Sequence, residues 1–275
     1  MTNIKVISYH LSGNSFPIVV QFDRKKFLVK LRAGLSGEYS LLSEWLGNQI
    51  GNLIGLNTRK PYWVLLTDSI HYEDIYIEVR DLIDKSLGVN IGFEYIDNVE
   101  VFDIREISNI DKEQQIDIYL LDLLMLNIDR TTQNHNLLIN ESGVIISDFD
   151  SSLIFNDLIN NVNLSNNKQI LQCLKSNPFY QRIDDSQLKT FLNKVNRIDF
   201  EKIIFEISND LISQQIKDMI CKRIENKKAI NWNLFEILDN LKNIRLETET
   251  ERKIRTNKNR GKLEKLVSST HNSGE

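Results

Sequence analysis

The sequence predicts an α+β chain, with a small antiparallel sheet and one helix near the N-terminus and a mainly helical remainder. Three patterns carry that expectation. β-like runs bounded by turn residues crowd residues 1–80. A strong helical stripe of Leu41, Leu42, Trp45, Leu46, Ile50, Leu53 and Ile54 interrupts them. Beyond Phe155 the apolar residues recur at helical steps. The chain has 275 residues, 41% hydrophobic and 26% charged, enough for one large domain or two lobes that share a cleft.

Residues 4–7, 16–22 and 27–31 read as three strands of a meander. Ser12, Gly13, Asn14 and Ser15 lie in the first connection. Gly13 lets backbone N–H groups approach an anion, and its three neighbours add side-chain donors. Lys30 interrupts the apolar third strand. Alternation puts Phe27, Val29 and Leu31 on one face and Leu28 and Lys30 on the other. A lysine on a half-apolar face needs an anionic partner or a route to water. The following helix ends at Gly55, a natural C-cap. Glu44 lies off the centre of its stripe, so it points either to solvent or to a cleft lined by Lys30. Glu38 is the alternative partner, although an acid at a helix start is expected for dipole reasons alone. Residues 61–66 and 75–79 read as two further strands, with 68–74 as their turn, completing a five-stranded sheet. Residues 86–98, with Gly88 and Gly92, show no clear period and read as a loop over the cleft.

In the second half, residues 113–127 form the strongest helix, with Ile116, Tyr119, Leu120, Leu123, Leu124 and Leu126 on one face. Further on, residues 170–174 precede the helix-breaking Asn177-Pro178, and residues 184–187 cap a helix over 188–195. Apolar residues then keep helical steps through 200–224 and 230–244. Residues 246–275 are polar and lack aromatics, which predicts a frayed helix and a disordered tail. The expected organisation is an N-terminal lobe over 1–80, a second lobe over 81–245 and the tail.

Composition excludes several classes. A net charge of -4 gives no basic field for nucleic acid. Cys173 and Cys221 are too few and too far apart for a disulfide framework or a zinc ribbon. The four histidines form none of the spaced pairs of a zinc hydrolase, and no Walker-type glycine loop with Lys-Ser/Thr is present. The N-terminus lacks the apolar core of a secretory signal, and no apolar run approaches the ~20 residues of a membrane span, so the expected location is cytoplasmic.

The stretch 116–155 carries the chemistry. Its helix runs into Asn127-Ile128-Asp129-Arg130-Thr131-Thr132-Gln133-Asn134. A hairpin follows over 137–139 and 144–146, and then the acidic loop Asp148-Phe149-Asp150-Ser151-Ser152. An acid, an amide five residues on, and another acid after a hairpin give the oxygen donors that Mg²⁺ and phosphate require. The loop acid is also suited to orient, or take a proton from, an attacking hydroxyl. Arg130 could pair with acids of its own loop, bind a substrate phosphate, or sit on the surface.

Asn-x-Asp-Arg-x-x-x-Asn, an apolar strand, a glycine turn and a hydrophobic–Asp pair together resemble the catalytic and metal loops of the HipA-like kinases and their phosphoinositide-kinase relatives. The resemblance extends over residues 7–155, including the register of Ser43-Glu44-Trp45 through Ile54-Gly55-Leu56. It implies a bilobal protein-kinase-like fold that binds ATP and Mg²⁺ and moves the γ-phosphoryl group to a hydroxyl, most often a Ser or Thr of a protein. By the same resemblance Asp129 is the catalytic acid, and Asn134 and Asp150 are metal ligands. Lys30, steadied by Glu44, grips the phosphates that Ser12, Gly13, Asn14 and Ser15 cover, and the strand exit at Glu78-Val79-Arg80 is the hinge. Asp150-Ser-Ser-Leu-Ile-Phe155 fits the family's Asp-x-x-Leu-x-Phe pattern, while Asp148 is the rival if Asp148-Phe149-Asp150 is read against Asp-Phe-Gly. Thr131 stands where the family commonly has His. A lipid or small-molecule acceptor, a catalytically silent nucleotide- or partner-binding pseudokinase, and an antitoxin-type partner are the other readings that the resemblance admits.

Overall fold

The sheet begins with three strands, β1 (Ile4–Tyr9), β2 (Ile18–Phe22) and β3 (Lys25–Lys30), and is joined later by β4 (Pro61–Leu66) and β5 (Gly88–Glu94). All pairs are antiparallel, in the order β1-β2-β3-β5-β4. The computed structural model describes residues 4–10, 17–34, 38–72, 75–160 and 166–246. The phosphate-covering loop expected at Ser12, Gly13, Asn14 and Ser15, and the tail beyond 246, lie outside the described residues.

Two sequence expectations are corrected here. Residues 75–79 are not a strand: α2 (Ile77–Lys85) occupies that region. Its Val79 and Ile83 are buried, the i, i+4 spacing of a helix that covers one sheet face. The expected loop at 86–98 instead contains β5, an interior strand between β3 and β4. Val89, Ile91 and Phe93 supply its alternation and join the main core. Gly92 lets β4 and β5 approach, since a Cβ there would lie 2.6 Å from Val64 Cγ2. The sheet therefore runs past residue 80 to Glu94, and Glu78-Val79-Arg80 is part of a helix and not a hinge.

The sheet has two differently covered faces. Val29 and Leu31 pack with Ile18, Val20, Val79 and Ile83 on one side. On the other, α1 (Glu38–Leu53) joins Leu41, Leu42, Trp45, Leu46 and Ile50 to the core of the helical lobe. Trp45 stacks on Trp63 at 4.6 Å between ring centroids. The two indoles donate to Ile203 O and Glu206 O, at 3.1 and 2.9 Å. This fastens the sheet to the helices.

The helical lobe is centred on α3 (Lys112–Met125), whose residues 116–125 are all buried. A three-stranded sheet of β6 (Glu100–Val101), β7 (Leu137–Asn140) and β8 (Gly143–Ile146) holds the predicted hairpin. The helices α4 (Ile154–Asn160), α5 (Lys168–Lys175), α6 (Asp185–Asn196), α7 (Phe200–Phe205), α8 (Gln214–Ala229) and α9 (Leu234–Asn243) follow. Asp184 and Gln187 form the expected capping box of α6. The apolar steps over 200–224 belong to two helices. Between α7 and α8, Lys217 donates to Ile207 O and, at 2.7 Å, to Asn209 Oδ1, so a buried ammonium satisfies the turn.

Candidate active site

Between the sheet and the helical lobe lies a cleft of about 530 Å³. Lys30, Glu44, Asn48 and Arg59 line it on one side, and Asp129, Asn134, Ser147, Asp148 and Asp150 on the other. The alternation of β3 sends Leu28 and Lys30 into this cleft, while Val29 and Leu31 go to the opposite core. Lys30 donates to Glu44 Oε1, to Asp148 Oδ1 at 2.8 Å and to Asp150 Oδ2 at 3.4 Å. Glu44 thus faces the cleft, only 1% exposed. Asn48, one turn along α1, holds it through an amide hydrogen bond of 3.0 Å to Glu44 Oε2. Glu38 begins the helix.

The acidic loop is positioned by a buried ring. Phe149 is fully buried and packs against α1 at Gly47, where a Cβ would come within 2.4 Å of the ring. Asp148 takes a left-handed backbone with φ 65°, and Ser43 Oγ donates to Ser152 O at 3.0 Å. Asp148 and Asp150 consequently flank Phe149 and both reach the same ammonium.

The Asp129 loop is positioned from below. Leu126, with φ 53°, ends α3 in a left-handed turn. Asp122, fully buried, accepts from Asn127 Nδ2 at 2.9 Å, Arg130 Nε at 2.8 Å and Asn177 Nδ2 at 2.7 Å. Arg130 also donates to the carbonyls of His135, Asn136 and Ser147, at 2.8, 3.0 and 3.3 Å. It is neither a surface arginine nor a phosphate ligand; it is the fully buried strut of the loop. Asp129 Oδ2 accepts from Asn134 Nδ2 at 2.5 Å and from Asn136 Nδ2 at 3.4 Å. An amide bonded through its nitrogen still has its oxygen to offer.

The charges are unequal. One ammonium faces three carboxylates, and the Arg59 guanidinium lines the same cleft beside Glu44. Burial opposes the ammonium of Lys30, but Glu44, Asp148 and Asp150 outweigh it and raise its pKa above the ordinary lysine value. Burial raises Glu44 to about 7 against the pull of Lys30. Burial also opposes ionisation of Asp148, yet the Lys30 ammonium holds it down at about 2. Asp150 is shifted upward by burial and by the charge of Asp148.

The carboxylate oxygens of Glu44, Asp148 and Asp150 lie within 4.8 Å of one another. Three clustered carboxylates are the oxygen donors that a hard divalent cation takes, so the residues present fit Mg²⁺. The sequence picked out Lys30, Glu44, Asp129, Asn134, Asp148 and Asp150, and all six line one cleft. It missed Asn48, Asp122 and Asn136. Asp122 did leave a signal, an acid inside an apolar helix run.

A profile of the HipA-like kinase family matches residues 5–234. The chain belongs to the HipA-like kinases. Among solved structures, the proinflammatory kinase CtkA of Helicobacter pylori is similar at 14% identity. The match covers 86% of this chain and 94% of that one, with a TM-score of 0.52, so this HipA-like kinase shares the fold of a kinase. The choline kinase LicA of Streptococcus pneumoniae aligns at 11% identity over 87% of this chain and 94% of its own, with a TM-score of 0.30. Among curated proteins none matches by sequence. Among the described residues no helix is long and apolar enough to cross a membrane.

Proposed function

We propose that this HipA-like kinase moves the γ-phosphoryl group of ATP to a hydroxyl, with a serine or threonine of a protein as acceptor. One observation carries the reading: Lys30 with its carboxylates and Asp129 with the Asn134 amide line a single cleft. Leu28, Phe93 and Leu138 offer apolar walls for a base, and the backbone that leaves β5 after Glu94 takes the place of the hinge expected at 78–80. Lys30, steadied by Glu44, binds phosphate oxygens. Asp129 orients the hydroxyl and takes its proton as the oxygen attacks the γ-phosphorus and the bond to the β-phosphate oxygen breaks, leaving ADP. Asn134 through its amide oxygen, with Asp150 and Asp148, would hold Mg²⁺, which when bound neutralises phosphate charge. The protein acceptor rests on membership of the family.

Transfer of label from [γ-³²P]ATP tests the reading, offered to a protein extract and to small alcohols in parallel. Asp129→Ala should lower transfer by about a thousandfold or more while the fold is retained. Equal labelling by both proteins would remove Asp129 from the chemistry. Label on small alcohols alone would replace the protein acceptor by a small molecule.

A further inference from the structure

We infer that Asn136 is a positioning residue for Asp129, a second amide that fixes the carboxylate on which the proposed reaction depends. The inference rests on the phosphotransfer reading and adds to it a residue outside the loop motif. Its Nδ2 lies 3.4 Å from Asp129 Oδ2, the oxygen that also accepts from Asn134. The two amides stand on different footings. Asn134 is exposed on the loop, and both of its backbone bonds go to Thr131: its N–H donates to Thr131 Oγ1 at 3.1 Å and its carbonyl accepts from Thr131 N at 3.0 Å. The carbonyl of Asn136 accepts from Arg130 Nη1 at 3.0 Å and from Ser147 N and Oγ, each at 3.1 Å. Its backbone is therefore tied both to the buried Arg130 strut and to the residue before Asp148.

The roles divide on that difference. Asn134 has an amide oxygen to give to a cation, so its exposed side chain answers to that cation as well as to Asp129. Asn136 sits on anchored backbone and keeps Asp129 aimed while Asn134 is engaged. A carboxylate placed about 1 Å wrong loses a large part of its effect on an attacking hydroxyl, so a second tether acts on turnover more than on nucleotide binding.

The backbone supplies a clean test. Asn136 has φ 52°, a left-handed conformation that asparagine tolerates and glycine adopts without strain. Asn136→Gly keeps the turn and removes only the amide. The expected result is a kcat lower by about tenfold at saturating MgATP, with KM for ATP within about twofold and an unchanged melting midpoint. Asn136→Asp, the same shape without the donor and with a like charge beside Asp129, should lose more. Asn136→Ala should lose the same kcat and also melt earlier, because alanine is strained at this φ. A purely structural Asn136 would give an Asn136→Gly enzyme with full kcat, and that result overturns the inference. Wild-type protein without any MgATP turnover would instead overturn the phosphotransfer reading on which it rests.

Discussion

Two buried ionic clusters sit a short distance apart in this HipA-like kinase, and they are built on opposite principles. Around Arg130 the bonds close on themselves. Asp122 and Arg130 are one acid and one base, and asparagine amides and backbone carbonyls take up the remaining hydrogen-bonding capacity. Around Lys30 the charge does not balance. Glu44, Asp148 and Asp150 surround one ammonium at the wall of an open cleft. A neutral, satisfied cluster has little left to offer a ligand, so its role is to hold a loop in shape. An anionic cluster facing a cleft has an unmet need for positive charge, which is what a binding site requires. Phe149 connects the two. Its ring lies 5.5 Å from the Arg130 guanidinium, and its neighbours in sequence are the acids on Lys30.

The comparison breaks most visibly at Arg130. Arg130→Met leaves Asp122 buried without its cation, and stability should fall by about 3–5 kcal/mol in urea denaturation. A loss below about 1 kcal/mol would mean that the closed cluster is not a structural one. A smaller effect is expected at the connector. Gly47→Ala drives a methyl group into Phe149 and should cost about 1–3 kcal/mol, with turnover reduced because Asp148 and Asp150 move with the ring. Wild-type turnover in a folded Gly47→Ala protein would show the acids to be independent of Phe149.

The mildest perturbation concerns pH. Burial raises Glu44 from the ordinary value of 4.5 to about 7 against the pull of Lys30, so the folded chain keeps that proton to higher pH than the unfolded one. The stability linked to that proton is full below about 4.5 and is lost as pH rises through 7. Glu44→Gln stays neutral throughout. Its stability relative to wild type should therefore rise between pH 5 and 8, measured by denaturant melts, even as activity falls. Asp148 acts with the opposite sign. Its pKa is lowered from 3.8 to about 2, so its contribution is present above 3.8 and is lost only as pH falls through 2, outside that window. A Glu44→Gln curve parallel to wild type from pH 5 to 8 would show that Glu44 stays charged in the fold.

Legibility in the sequence followed the range of the interactions. The helix bearing Glu44, the strand bearing Lys30, the capping box at Asp184 and the hairpin after Asn134 were readable, because each is set by neighbours a few residues apart. The errors at 75–94 came from weak local periodicity. Ile75, Ile77 and Val79 alternate like a strand, but the i, i+4 pair Val79 and Ile83 had a sheet face to cover. Strand β5 carries two glycines that hide its alternation, and its place between β3 and β4 comes from partners far away in the chain. Asn136 and Arg130 were unreadable for a related reason, since their roles depend on carbonyls and carboxylates that meet only after the loop folds back.

The sequence by itself determined which chemical groups the protein possesses and the short-range order that presents them: a lysine on a strand, an acid on a helix, an acid and an amide five residues apart. Tertiary structure alone decided that Lys30 meets Glu44, Asp148 and Asp150 together, that Arg130 is buried and that Asn136 reaches Asp129. The physical reason lies in the reach of each cause. Periodicity and capping act within a few residues, whereas charge balance and desolvation are settled by groups as far apart as residues 30 and 150, which become neighbours only in the packed chain.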